Sequence, residues 1–399
     1  MTVERLNTDY CCGCSACENK CPKNAIQMLE DTRGNRRPFV DKDKCVLCGV
    51  CTKVCPSFHD IKYKSMEKKA YIGLFNQKDS VLLSSSGGIF LVLAQHILSH
   101  QGVVYGAAMK FEDKRLQCKH IRVDKYDELH LLQGSKYVQS HTDGVFSQVL
   151  DDLRNGKQVL FSGTSCQIAS LKRFVGGFDN LYTVDLICHG VPQDRLFNDY
   201  ISYLEKKNNG KLINMSFRKK GIFYHGEEIN KILSYQIKRN NGSNVSRSLF
   251  HTQSAYYCLF MNRAGYRDSC YHCRFASSDK PSDITLGDFT QSQDEVKKYQ
   301  LDKLESYSSV IIHTVAGIKL FDQVKDQLFI KEIPIEHMLN RHGNLNQPSE
   351  ITKEGQMLYQ IYLNGGFDKL QRITDYYLFR STVRFYIDKI IKYVKGKFH

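Results

Sequence analysis

The chain has 399 residues, a formal net charge of +14, fifteen cysteines and no tryptophan. That length suits two or three domains with a sizeable core, and no apolar run approaches the ~18 residues of a membrane span. The opening MTVERLNTDY lacks the apolar core of a signal peptide, and the basic residues are spread with no helix-turn-helix or RNA-binding signature, so secretion, membrane spanning and nucleic-acid binding are all disfavoured.

Cys11, Cys14, Cys17 and Cys21 are separated by two, two and three residues, and Pro22 follows. The figure returns at Cys45, Cys48, Cys51 and Cys55, followed by Pro56. This doubled C-x-x-C-x-x-C-x-x-x-C-P run is that of bacterial two-cluster ferredoxins, in which the fourth cysteine of each run crosses to the other cluster. The expected ligand sets are therefore Cys11, Cys14, Cys17 and Cys55 for one 4Fe-4S cluster, and Cys45, Cys48, Cys51 and Cys21 for the second. Two structural zinc sites are the bland alternative, although zinc needs neither the proline nor two copies of the run. The module is assigned to residues 1–60 and has too small a core to be stable without its metal. Cysteines in ligand spacing point to a reducing, cytoplasmic compartment.

The polar stretch Ile61 to Lys69 reads as a linker. Tyr71 to Phe75 reads as a strand opening the main domain. Ser84, Ser85, Ser86, Gly87 and Gly88 form a small-residue loop before an apolar helix. Backbone N–H groups there can approach an anion or a flat ring, and a plain N-cap with a tight turn is the simpler reading. Val103 to Met109 is a strand, and Gln133 to Ser140 is a polar loop. A helix ends at Gly156, the strand Gln158 to Gly163 runs into the helix TSCQIASLKRF, and Leu181 to Gly190 is a strand ending in Cys188 and His189. This alternation predicts an α/β core with parallel strands. After Gly210 the pattern turns β-rich, then a tyrosine-rich helix near Phe250 to Met261 precedes Cys270, Cys273 and DITLGDF. From Arg372 to His399 the chain is aromatic and basic. It suits an anionic membrane surface or a partner; an amphipathic helix packing back on the domain is the simpler reading.

Four further cysteines sit where ligands sit. Cys166 lies at a helix start, where the dipole favours a thiolate. Cys188 ends the neighbouring strand at the same sheet edge, and Cys270 and Cys273 form a C-x-x-C. Together they can make a third four-cysteine site, for iron–sulfur or structural zinc. Cys12, Cys118 and Cys258 have no ligand spacing and read as buried thiols. Cys166 with His189 also has the ingredients of a cysteine hydrolase, but no catalytic signature surrounds them.

The doubled run is followed in order by SSSGGIF, YGAAM, QGSKYVQS, VLFSGTSCQIASLK, VDLICHGVPQ, C-x-x-C-R-F and SDITLGDF. In combination these resemble the family of coenzyme F420 hydrogenase/dehydrogenase beta subunits. The resemblance covers roughly residues 1 to 290 and implies a two-cluster ferredoxin module and a mixed α/β flavoprotein core, placed over 70–335 (parts 70–150 and 151–335). The last hundred residues match no motif of the family, and 336–399 is expected to be a helical, basic and aromatic extension. It implies FAD, with Ser86, Gly87, Gly88, Ser135, Lys136 and Tyr137 at the flavin. It also implies a third 4Fe-4S cluster on Cys166, Cys188, Cys270 and Cys273. Ser165 stands where the family usually has proline, which leaves the ligand in place. The function implied is an oxidoreductase passing electrons between 4Fe-4S clusters, FAD and a deazaflavin or other two-electron partner, with a ferredoxin or another redox protein docking. The alternatives are an electron-relay subunit with no substrate of its own, and a redox accessory protein of surface-polysaccharide assembly. Three clusters, each a net −2 with its thiolates, lower the charge to about +8, which suits anionic partners.

Overall fold

The computed structural model describes the backbone of residues 2–396 apart from 7, 60–62, 64–65, 221–222, 225–226 and 229–230; side chains are not described at 8, 78, 223–224, 227–228 or beyond 376. Four of the nine residues of the expected linker Ile61 to Lys69, at 61, 62, 64 and 65, fall outside the described residues, and Lys69 itself already belongs to a strand.

The first 58 residues repeat one figure twice. Helix α1 (Ala16–Lys20) follows the first cysteine loop and helix α2 (Val50–Val54) follows the second, with the hairpin β1 (Ile26–Glu30) and β2 (Arg36–Val40) between them. Each loop takes two left-handed residues, Gly13 and Ser15 in the first, Leu47 and Gly49 in the second. The glycine has changed places between the copies, so each loop carries one strained non-glycine residue. Ser15 is held there by its hydroxyl, which donates to Asp143 at 2.9 Å.

The core is an eight-stranded sheet. Its strands are β3 (Lys69–Phe75), β4 (Val103–Glu112), β5 (Arg115–Val123), β6 (Val159–Gly163), β7 (Leu181–Leu186), β13 (Ile284–Phe289), β14 (Tyr307–Ile312) and β15 (Leu328–Ile333), in the spatial order β15-β3-β14-β13-β7-β6-β4-β5. Between β7 and β13 in the chain come β8 (Gly210–Ser216), the two-residue strands β9 (Phe223–Tyr224) and β10 (Glu227–Glu228), β11 (Ile232–Arg239) and β12 (Asn244–Phe250). Strands β8, β11 and β12 form a separate antiparallel sheet.

Only β4, β6, β7 and β13 run parallel; both flanks of the large sheet are antiparallel. The expectation of a parallel core thus holds for its centre alone. One cause is the turn Asp113–Lys114, with φ of 51° and 61°. Two left-handed residues between paired Glu112 and Arg115 make a tight hairpin of the I′ kind, with no glycine to announce it.

Helices α3 (Lys78–Val81), α4 (Ile89–Ser99), α5 (Val145–Arg154), α6 (Ser165–Val175) and α7 (Asp194–Asn208) come from the first half of the core, and α8 (Ala255–Met261), α9 (Asp268–Tyr271), α10 (Gln293–Tyr299), α11 (Val315–Asp322) and α12 (Ile335–Arg341) from the second. Helix α4 buries Leu91, Val92, Leu93 and Ile97 in the largest apolar cluster, with Ile72, Val310 and Ile311 of the sheet. Helix α13 (Lys353–Gly396) turns at Gly366 (φ 62°), and Tyr362, Phe367 and Leu370 pack into an aromatic cluster with Tyr200 and Tyr256. These residues precede the aromatic and basic stretch from Arg372 to His399, whose side chains are described only as far as Tyr376. The basic and aromatic side chains expected to meet a membrane or partner lie mainly beyond residue 376, outside the described residues. Among the described residues, no helix is long and apolar enough to cross a membrane.

The ferredoxin region is seated on the core. Cys14, Ala16 and Val54 share an apolar cluster with Tyr105, Val145 and Phe146. Thr142 Oγ1 donates to Cys14 O at 2.7 Å, Lys20 Nζ donates to Phe174 O at 2.9 Å, and Arg37 reaches Asp268 at 3.0 Å.

Candidate functional site

Two cavities in the first 58 residues sort the eight run cysteines. Cys11, Cys14, Cys17 and Cys55 line one with Val3, Leu6, Met28 and Pro38. Cys21, Cys45, Cys48 and Cys51 line the other with Ile26, Val40, Val46 and Leu47. The crossed sets expected from the spacing are therefore the sets that share a cavity. Backbone N–H groups face the sulfurs; Ala25 N–H, for one, donates to Cys21 Sγ at 3.3 Å. Among the described residues no three His, Cys, Asp or Glu converge as a single metal ion needs. The sulfurs stand apart around apolar cavities, and that arrangement fits an iron–sulfur cube. The second cavity opens outward, where Cys48, Val46 and Leu47 are exposed; the first faces the core.

A third cavity brings together Cys166, Cys188, Cys270 and Cys273 from separated stretches of the chain. Cys166 sits on the first turn of α6, whose N-cap residue Thr164 gives its N–H to Gln167 Oε1 at 3.0 Å. Strand β7 ends at Leu186, shorter than the Leu181 to Gly190 expected. Ile187 N–H makes the last sheet bond, to Leu286 O at 2.8 Å, and the chain then turns through Gly190 at φ 129°. A Cβ at Gly190 would meet the Tyr266 ring at 2.2 Å, so the turn needs glycine. Cys188 and His189 thus leave the sheet edge into a loop over the cavity. Val191 N–H in that loop faces Cys270 Sγ at 3.5 Å. Burial pushes the Cys188 thiol up to about 12 and raises Cys270 and Cys273 as well. Two buried cations, Arg267 and Lys280, offset the cost of thiolates there. Lys280 Nζ donates to Phe275 O at 2.7 Å.

Cys12, read as an isolated buried thiol, lines both this cavity and the first ferredoxin cavity. Its thiol meets the sulfurs of Cys14 and Cys166, which holds its own pKa well above the thiol range and draws Cys14 down to about 6. The spacing gave no hint of this, because the neighbour that matters, Cys166, lies far along the chain. Cys118 and Cys258 remain thiols pushed up to about 11 by burial. No Cys166–His189 pair forms: His189 Nδ1 bonds the Tyr266 hydroxyl at 3.0 Å, and Cys166 Sγ faces Thr164 Oγ1 at 3.1 Å.

Beside the third cavity lies a cleft of about 470 Å³, within the range of ligand pockets. Of the six residues expected at a flavin, Ser86, Gly88, Ser135, Lys136 and Tyr137 line it. Gly87 does not. A Cβ there would stand 2.3 Å from Gly73 O, so this glycine serves the close packing of the loop on β3 and β14. The two polar loops are joined by Ser85 Oγ and Ser135 Oγ at 2.7 Å, and Ser86 Oγ meets Ser308 Oγ at 2.9 Å. Gly88, at φ 77°, is the N-cap residue of α4, and it lines the cleft with Ile89 and Phe90 of the first turn. Lys136 Nζ donates to Leu131 O and Gln133 O at 3.0 and 2.7 Å, and burial lowers it to about 8. Tyr137 stacks on Phe260 at 4.2 Å. His120, His189, Arg341 and His342 also line the cleft, and sequence reading missed all four as cleft residues. Burial lowers His120 to about 4, so it is neutral, bonded to Ser162 O and Ser140 Oγ. A flat ring with an anionic tail fits these donors.

Residues 10–58 match the 4Fe-4S dicluster domain, and residues 156–337 match the family described as the C terminus of the coenzyme F420 hydrogenase/dehydrogenase beta subunit. The chain joins a 4Fe-4S dicluster domain to the C-terminal domain of the F420 hydrogenase/dehydrogenase beta subunits. With these two domains it is an iron–sulfur oxidoreductase of electron transfer. It is similar to the F subunit of the F(420)H(2) dehydrogenase of Methanosarcina mazei, 21% identical, over 88% of this chain and 95% of that one. It is also 21% identical to the coenzyme F420-dependent sulfite reductase of Methanocaldococcus jannaschii, over 82% of this chain; the match spans 47% of that longer protein. A chain from the F420-reducing nickel–iron hydrogenase complex of Methanosarcina barkeri matches 77% of this chain and 97% of itself, with 15% identity and a TM-score of 0.43, too distant to bear on the fold.

Proposed function

We propose that the chain is an iron–sulfur flavoprotein oxidoreductase with two 4Fe-4S clusters in residues 1–60. A third cluster is held by Cys166, Cys188, Cys270 and Cys273, and FAD lies in the cleft at Ser86, Gly88, Ser135, Lys136 and Tyr137. The observation that carries this reading is that one short loop, Cys188 to Val191, lines both the four-cysteine cavity and the cleft. FAD, when bound, supplies the exchange between two-electron hydride chemistry and one-electron traffic. The chain's own residues hold and insulate it. The N-terminus of α4 and the Lys136 ammonium favour an anionic tail, and neutral His120 gives orientation without charge.

The proposed division is 1–60 for the ferredoxin domain, 70–335 for the flavoprotein domain and 336–399 for the extension. A ferredoxin or another one-electron protein is the proposed partner at exposed Cys48. A deazaflavin or similar two-electron molecule is the proposed partner at the cleft, in keeping with the names of the relatives. Free thiols in ligand spacing favour a cytoplasmic setting. The rival reading, an electron-relay subunit, is favoured by the relative that is itself one subunit of a dehydrogenase; the roomy cleft favours an enzyme. Iron and flavin are to be counted on anaerobically purified protein with its visible spectrum. The expected result is about twelve irons and one FAD per chain. Eight irons and no flavin would leave only the two-cluster relay.

A further inference from the structure

Arg267 is the bulkiest fully buried side chain among the described residues, 1% exposed, and it lies at the seam between the two cysteine systems. Its Nη2 donates to Arg36 O at 2.7 Å and reaches Cys11 O at 3.5 Å, both in the ferredoxin region. Its Nη1 meets Asp194 at 3.2 Å, and its backbone N–H donates to Val191 O at 2.9 Å in the loop that carries Cys188. The side chain also lines the four-cysteine cavity. Its charge acts on Asp194, Cys11, Cys270, Cys12 and Cys166, so it faces a cysteine of the doubled run and cysteines of the third set together. Asp194 is shared with His141 at 2.7 Å, and Arg267 Nε has no acceptor among the described residues. The guanidinium is thus only partly compensated by protein groups. Room for it is made by Gly13, where a Cβ would stand 2.5 Å from Nη2.

We infer that Arg267 is an electrostatic positioning residue between the cluster at Cys11 and the cluster at Cys270, raising the reduction potentials of both and leaving the outer ferredoxin cluster unaffected. Reduction adds negative charge to a cluster. A buried cation beside it stabilises that state more than it would in water, and net charge and hydrogen bonding are what set such potentials. The outer cysteines, Cys21, Cys45, Cys48 and Cys51, line a separate cavity that Arg267 does not line, whereas its Nη2 reaches Cys11 O. The inference rests on the proposed third cluster for its Cys270 half alone.

The test is an anaerobic redox titration of the full holoprotein, read by electron paramagnetic resonance after iron has been counted. In Arg267→Gln two of the three potentials should fall by about a tenfold change in the reduced-to-oxidised ratio, about 59 mV for one electron. Arg267→Lys, which keeps the charge, should stay near the wild type. Asp194→Asn removes the protein counter-charge and should move the same two potentials upward, which decides the matter if Arg267→Gln does not assemble. Potentials that stay put, or that move equally in all three clusters, overturn the inference. A wild-type count near eight irons would remove the third cluster from the proposed function; the potential at the Cys11 cluster must then still move for the inference to stand.

Discussion

The ferredoxin region and the sheet core sit against each other but are stabilised by different physics. In the ferredoxin region the apolar cluster consists of Val3, Ile26, Met28 and Val40 with Cys17 and Cys51, two cysteines of the doubled run. Such a set cannot outweigh the conformational entropy of nearly 60 residues at about 1–2 kcal/mol each for the backbone, so the metal supplies what the apolar core lacks. The sheet core instead buries Val, Ile, Leu and Phe side chains along β3, β4, β14 and α4 in one large apolar cluster. Binding chemistry stabilises the first region and apolar burial the second. The seam mixes the two, because Cys14, Ala16 and Val54 are packed on Phe146.

The largest effect expected follows from stripping iron with an anaerobic chelator. Residues 10–58 should lose all protection in hydrogen exchange, while β3, β6, β7 and β14 stay protected. Loss of protection on both sides would show that the seam couples the two regions into one unit, and the contrast would break. Next comes Phe161→Ala. This ring is fully buried on β6 and stacks on His120 at 5.0 Å. Its removal should cost the core about 3–5 kcal/mol in urea unfolding. The iron of the doubled cysteine run should remain, and its loss would mean that the ferredoxin region depends on core packing. The smallest effect is one of pH. Lys136, lowered to about 8 by burial, is charged below that value and neutral above it, so its attraction for an anionic ligand is present at lower pH and fades as pH rises through 8. FAD affinity should fall a few-fold between about pH 7 and pH 9.5, against an unperturbed lysine that holds its charge to about 10.4. Lys136→Met should abolish that slope. An unchanged slope in the variant would remove Lys136 from the ligand's surroundings.

Local spacing carried a large share of the reading. The doubled cysteine run predicted which four sulfurs share each cavity, because the ligands of one loop are fixed by a few backbone dihedrals and the crossing ligand by the pseudo-symmetry of two copies. Most of the strand and helix order along 70–210 was legible for the same reason, since period and glycine position act within one element. The edge strand β5 was missed, because no glycine marks the Asp113–Lys114 turn that leads into it. Neither spacing nor period reveals a partner far along the chain. The antiparallel flanks of the sheet, the end of β7 at Leu186 and the bridging place of Cys12 were decided by packing. So was the role of Gly87, which looks like a ligand loop in sequence and turns out to keep a Cβ away from Gly73 O.

By itself the sequence determined the cluster-binding figure, the alternation of elements in the first half of the core and the segments that hold the four outlying cysteines. Only the tertiary structure decided that Cys166, Cys188, Cys270 and Cys273 share a cavity, that a cleft lies across one loop from it, and that Arg267 stands buried between the two cysteine systems. The physical reason is that a ligand loop is specified by dihedral angles and side-chain types a few residues apart. A cavity assembled from strand ends and loops exists only once the sheet has brought together residues far apart along the chain.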